Sequence, residues 1–255
     1  MHLMPDYAET ARSFTESLHL TQPPIAVCLT DSVPPGVESW TGHVPAGCRF
    51  WQEAESRVFA TSALDHDLCS IGMHTHNLEM TSGSSTDLGD SLKVLADLTY
   101  VRPEDVAAIP VLASQPKHVI YGPLAEIPIA PDVVLLFVQA DRALILSEAS
   151  QQLEGGFPPA MGRPACAIIP QAHNTGRSAV SLGCCGARAY LDVLTPDIAL
   201  YAIPGPSMAA FAERVAALSK ANGILTKFHE IRRKAADAGE KPTVQESLSE
   251  LQAVG

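Results

Sequence analysis

Ser181-Leu182-Gly183-Cys184-Cys185-Gly186-Ala187-Arg188 sets two adjacent cysteines between two glycines and closes on an arginine. Cys166, in Gly162-Arg163-Pro164-Ala165-Cys166, stands eighteen residues before Cys184. The first half of the chain repeats this order in other residues. Val44-Pro45-Ala46-Gly47-Cys48 opens a segment that reaches Cys69-Ser70-Ile71-Gly72 twenty-one residues on. In each half a Pro-Ala step precedes the first cysteine, and a glutamine and an alanine follow it (Gln52 and Ala54; Gln171 and Ala172). In each half the second cysteine lies near a glycine. The parallel predicts an internal repeat, with related halves at about 24–76 and 131–190, built around four thiols.

Hydrophobic periodicity places these cysteines in a mixed α/β fold: two lobes around a mixed sheet, followed by C-terminal helices. Tyr7, Ala11, Phe14 and Leu18 form one stripe of a helix over 6–19, with Asp6 as its cap. Ile25 to Leu29 reads as a short buried strand, and the proline- and glycine-rich 31–47 as a loop that delivers Cys48. The pattern Trp51, Ala54, Val58 predicts helix from Arg49 to about Ala63, and 64–76 a turn and a second short helix. Residues 81–86 read as polar loop before a helix through Leu88, Leu92, Leu95 and Leu98. Strands are predicted at 117–124, 133–138, 179–183 and 198–203, and a helix at 140–153. Pro170 should keep any helix after Cys166 short or kinked. Ser207 reads as the cap of a helix that Gly223 stops, with a second helix over 224–238 and an acidic tail over 239–255 that folds against a partner. The domain reading is therefore 1–205 as one cysteine-site domain and 206–255 as helices and tail.

The net charge of −11 argues against a nucleic-acid footprint, which needs a basic face. No apolar run approaches the ~20 residues of a membrane span. Met1 to Asp6 carry neither a basic start nor an apolar stretch, so no secretory leader is expected, and the expected compartment is the cytoplasm. Thiols stay reduced there, so six cysteines point to ligands, redox groups or buried hydrophobes before disulfides. Cys28, inside an apolar strand, reads as packing.

Four thiolates make either a zinc site or an iron–sulfur cluster. Zinc modules bring cysteines in tight pairs, a spacing this chain lacks, whereas ligands about twenty residues apart in each half suit a cluster held between two lobes. The expected ligands are Cys48, Cys69, Cys166 and Cys184, with Cys185 as the substitute for Cys184 and a 4Fe–4S cluster as the cofactor; zinc is the alternative. Arg188 and His74 are the candidate catalytic groups, the arginine for a carboxylate substrate or the cluster's charge. Arg49, Gln52, Gln171 and His173 add polar groups near the thiols. Three functions compete: an enzyme acting on a small anionic molecule, a non-catalytic electron carrier or redox sensor with a partner protein, and a structural zinc protein. A homo-oligomer is compatible with each.

At these residues the chain resembles the domain of unknown function 169 family, the ArCR proteins. The matching features are Pro24 to Val27, Cys48 to Ala54, Cys69 with its following glycine, Pro131 to Leu135, Cys166, and Ser-Leu-Gly-Cys-x-Gly-x-Arg over Ser181 to Arg188. The resemblance runs from about 10 to 205. It implies that Cys184 is the motif cysteine and Cys185 occupies a variable place. It implies a site and no particular reaction.

Overall fold

The computed structural model describes residues 6–254. The first half runs α1 (Tyr7–Leu18), β1 (Ile25–Thr30), β2 (Glu38–Ser39), α2 (Arg49–Glu53), β3 (Phe59–Ser62), α3 (Ser70–Thr75), α4 (Ser82–Asp97) and β4 (His118–Pro123). The second runs β5 (Val133–Gln139), α5 (Ala140–Leu153), β6 (Ala160–Met161), α6 (Ile168–Thr175), β7 (Ala179–Ser181), α7 (Cys185–Tyr190) and β8 (Ile198–Pro204). The C-terminal helices are α8 (Met208–Asp237) and α9 (Val244–Val254). The expected mixed α/β class is the one observed.

All eight strands join one mixed sheet in the order β2-β3-β4-β1-β5-β8-β7-β6. At its centre β1 and β5 pair antiparallel, Ile25 opposite Leu135. On one side β1 pairs antiparallel with β4, β4 antiparallel with β3, and β3 parallel with β2. On the other, β5 pairs antiparallel with β8, β8 antiparallel with β7, and β7 parallel with β6. The pairings read the same outward in both directions. Register matches too: Ile25 and Val133 lead the inner strands and face Pro123 and Pro204.

Side chains alternate across the sheet, so each strand feeds two cores. Ala26, Cys28, Val134, Leu136, Tyr201 and Ile203 point to the face covered by α1, α5 and the first part of α8. Ile25, Val27, Tyr121, Val133, Leu135 and Leu200 point to the opposite face, beneath the short helices that carry the cysteines. Burying the strands on both faces explains their near-continuous apolar runs. On α1, Ala11, Phe14 and Leu18 are buried, and the Asp6 carboxylate accepts the Glu9 N–H at 2.9 Å. Each fully buried Phe or Leu of this kind contributes about 1.5–3 kcal/mol of transfer free energy.

Several sequence expectations change in the folded chain. The helix expected over 49–63 stops at Glu53, and Phe59–Ser62 is a strand, because Phe59 and Ala60 pair across to Tyr121 and Ile120. The loop expected at 81–86 is the first turn of α4: the Thr81 hydroxyl accepts the Ser84 N–H at 3.1 Å. Gly223 does not stop a helix, since α8 continues unbroken from Met208 to Asp237. Ser207 makes no side-chain cap, its hydroxyl donating instead to the Pro204 carbonyl. Part of the acidic tail forms α9, which packs against α8 of its own chain. Pro170 lies in the first turn of α6, a position proline tolerates, and α6 is short, at eight residues.

Candidate functional site

The cysteines sit at matching places in the two halves. Cys48 precedes α2 and Cys166 lies in a 3-10 turn leading into α6, both between the outermost strand and its neighbour. Cys69 is the residue before α3 and Cys184 the residue before α7, each following the next strand. The folded sheet brings all four to one cavity of about 820 Å³ on the face opposite α1, α5 and α8. Cys185 also reaches its wall. Cys48 and Cys166 are buried, Cys69 and Cys184 half-buried and Cys185 exposed, and none of the six cysteines is in a disulfide. Cys28 belongs to the other core, in agreement with its reading as packing.

Backbone N–H groups point at two of the sulfurs. Cys69 Sγ receives those of Gly47 and Gly72. Cys184 Sγ accepts the Ala187 N–H at 3.5 Å. The donors Gly72 and Ala187 each stand three residues after their cysteine, so both turns use the same geometry. At Gly72 a Cβ would lie 2.8 Å from Cys69 Sγ, so that turn needs glycine for close approach. α3 packs against the 3-10 turn that holds Cys166, linking the halves at the site.

Burial dominates the electrostatics. It pushes the Cys48 thiol up to about 12, with Cys69 and Cys184 adding like-charge repulsion. Cys69 and Cys166 move in the same direction for the same leading reason. Among the described residues no three or more His, Cys, Asp or Glu groups are gathered closely enough to hold a single ion.

The cavity wall also holds groups that sequence reading passed over. Asp87, Asp90 and Asp105 come from α4 and the 3-10 turn at Pro103–Ala108, and Arg163 stands across from them. Asp105 is held in its charged form first by Arg102, which donates to both its oxygens at 2.8 and 2.6 Å, with Arg163 adding to this; Cys69 is pushed up first by burial, with Asp87 adding to it. No motif marks the aspartates, which reach the site because α4 and its following turn fold back over it; Arg163 is brought there by the stretch that carries Cys166.

The other expected groups are placed as follows. Arg188 does not line the cavity: its guanidinium donates to the carbonyls of Leu182, Leu194, Thr195 (2.8 Å) and Ile198, tying the loop after α7 to the end of β7. His74 is half-buried and absent from the cavity wall, whereas His76 belongs to it and is buried. Arg49 donates to the Tyr190 carbonyl, and Gln52 Oε1 accepts the Asp192 N–H, so α2 is tied to the second half. Asn174 does the reverse from α6, binding the Val111 carbonyl and the Ala113 N–H. Gln171 lines the cavity, and His173 lies 3.6 Å from Asp132.

Among the described residues no helix is long and apolar enough to cross a membrane. No curated protein and no solved structure matches the chain. The family model of domain of unknown function 169, described as uncharacterised ArCR, matches residues 13–214, a span that takes in all four cavity cysteines of the paired halves. The chain belongs to this family.

Proposed function

We propose that Cys48, Cys69, Cys166 and Cys184 hold an iron–sulfur cluster, of the 4Fe–4S kind, in a cytoplasmic enzyme that acts on a small molecule. The observation that carries this reading is the meeting of four undisulfided thiols, two from each half, at one cavity. The N–H groups of Gly47, Gly72 and Ala187 aimed at sulfur favour it, because such bonds stabilise thiolates and tune a cluster's potential. The spread of the thiols supports a cluster over zinc. Zinc modules bring their cysteines in tight pairs, whereas these stand about twenty residues apart within each half. A cluster supplies one-electron transfer, or a Lewis-acidic iron when one iron lacks a protein ligand.

The cavity supports an enzyme over a carrier. It extends from the thiols to α4 and its following turn, more room than electron transfer requires. An anionic substrate would meet Arg163 in the wall, with the three aspartates confining its charge to that side. Arg188, with its guanidinium on four carbonyls, would position the motif loop and not the substrate. We read the mirrored pairings as a tandem duplication that extends beyond 24–76 and 131–190 to include β4 and β8. A cluster at the junction gives the two units a common ligand.

The test is iron and acid-labile sulfide per chain in anaerobically purified protein. The reading expects brown protein with both. Colourless protein holding stoichiometric zinc, or no iron after reconstitution, overturns it. A visible spectrum unmoved by small anions and thiols would replace the enzyme with an electron carrier.

A further inference from the structure

Behind the cysteines lies a second group of polar side chains that the cluster reading does not use. His66, His76 and Tyr121 are at most 3% exposed. The His66 ring centre is 6.0 Å from that of His76 and 6.5 Å from that of Tyr121. His66 Nδ1, His76 Nε2 and Tyr121 Oη are all buried without a hydrogen-bond partner among the described residues. Buried polar atoms are nearly always paired, so three orphans in neighbouring rings call for an occupant.

The hydrogen bonds fix both tautomers. The Thr61 hydroxyl donates its proton to the Val119 carbonyl at 3.0 Å, so at 3.0 Å from His66 Nε2 it can only accept. His66 therefore carries its proton on Nε2 and presents a bare lone pair at Nδ1. His76 Nδ1 lies 2.9 Å from the Gly72 carbonyl, which only accepts, so its proton is on Nδ1 and its lone pair at Nε2. Burial holds both rings neutral, His66 at about 3 and His76 at about 4. The unpaired set is thus two acceptors and one phenol O–H.

We propose that His66, His76 and Tyr121 form a buried seat for one small protic group, donating to His66 Nδ1 and His76 Nε2 and accepting from Tyr121 Oη. A water molecule has this complement of two donors and an acceptor, and so does a substrate's amino group in its neutral form. His76 lines the cysteine cavity, so the seat opens on the space where a substrate would lie. The seat stands on these hydrogen bonds alone and holds whether or not the thiols carry iron.

A high-resolution crystal structure of the anaerobically purified protein tests it. One non-protein atom is expected within hydrogen-bond distance of both nitrogens and of Tyr121 Oη. It should persist in His76→Gln, whose amide oxygen can accept, and in Tyr121→Phe, and it should lose at least one contact or vanish in His76→Leu. Soaking with methylamine separates the sources. Density that grows by a methyl group marks a seat open to substrate, and unchanged density marks a fixed water. An empty position in the unmodified protein, or direct pairing of the two nitrogens with protein donors, overturns the proposal. If His76→Leu does not fold, the unmodified protein and His76→Gln still decide it.

Discussion

The two halves present their cysteines from the same strand-and-turn frame and surround them differently. Between α3 and β4 the first half inserts residues 76–117, which carry α4 and a 3-10 turn over the cavity. The second half crosses the matching gap with residues 191–197. The strands differ as well. By register Phe59 and Tyr121 correspond to Ala179 and Ala202, so the first half fills the cysteine face with rings and the second with methyl groups. Phe50, Phe59 and Tyr121 pack ring on ring beneath the five-residue α2. The small residues leave space for the longer α6, whose Ile168, Ile169 and Ala172 complete that core. The first half thus folds α4 over the cavity, and the second contributes a compact cysteine turn locked by Arg188.

The strongest way to break the comparison is at the ligands. On the iron–sulfur proposal, Cys69→Ser and Cys184→Ser are expected to remove iron and visible absorbance equally, because serine is a poor ligand for soft metals. Cys185→Ser, outside the matched pair, should keep both. Iron analysis of the three variants checks this, and loss in Cys185→Ser alone would move the ligand and the symmetry with it.

Next in size is packing. Phe59→Ala should cost about 3–5 kcal/mol in urea unfolding, while Ala179→Gly, at the matching place, should cost only about 0.5–1 kcal/mol. Equal losses would mean that the two faces are not filled as described.

The histidines give a pH signature confined to the first half. Burial holds His66 and His76 at about 3 and about 4 in the folded protein, below the usual 6.5 of an imidazole. The unfolded chain therefore takes up protons first as pH falls. Stability should be full above about pH 6.5 and decline from there towards pH 4, by about 1.4 kcal/mol per pH unit for each ring. Urea midpoints at pH 7, 6 and 5 measure the slope, and His76→Gln should roughly halve it.

The smallest contrast compares glycines beside the ligands. Gly72→Ala places a methyl 2.8 Å from Cys69 Sγ and should cost about 1–3 kcal/mol and, on the iron–sulfur proposal, shift the visible spectrum. Gly186→Ala meets nothing closer than Tyr190 at 3.8 Å and should gain about 0.4–1 kcal/mol from a less flexible unfolded chain. Thermal melts and absorbance spectra of the pair separate these signs.

Much of the fold was legible in local pattern. The stripe of α1, the apolar runs of β1, β5 and β8 and the helix α5 all follow from residues that are neighbours in sequence. Phe59–Ser62 was not, because nothing local separates a strand there from the end of a helix; its ladder partners lie near residue 120. The two-residue strands β2 and β6 carry too little pattern to be read at all. At the site the cysteines were legible because thiols between glycines are rare chemistry in recurring surroundings. His76 was passed over for His74 because the choice depends on which way the last turn of α3 faces. Asp87 and Arg163 carry no motif.

By itself the sequence determined the residue types, their order within each half and the alternation that buries a strand on both faces. Those are properties of neighbours along the chain, set by helix and strand periodicity. Only the tertiary structure decided that four thiols share one cavity, that α4 closes over it, and that Arg188 is committed to backbone carbonyls. The first of these depends on where β1 meets β5. That antiparallel pairing joins residues over a hundred positions apart, and it brings the cysteine turns of the two halves to the same place.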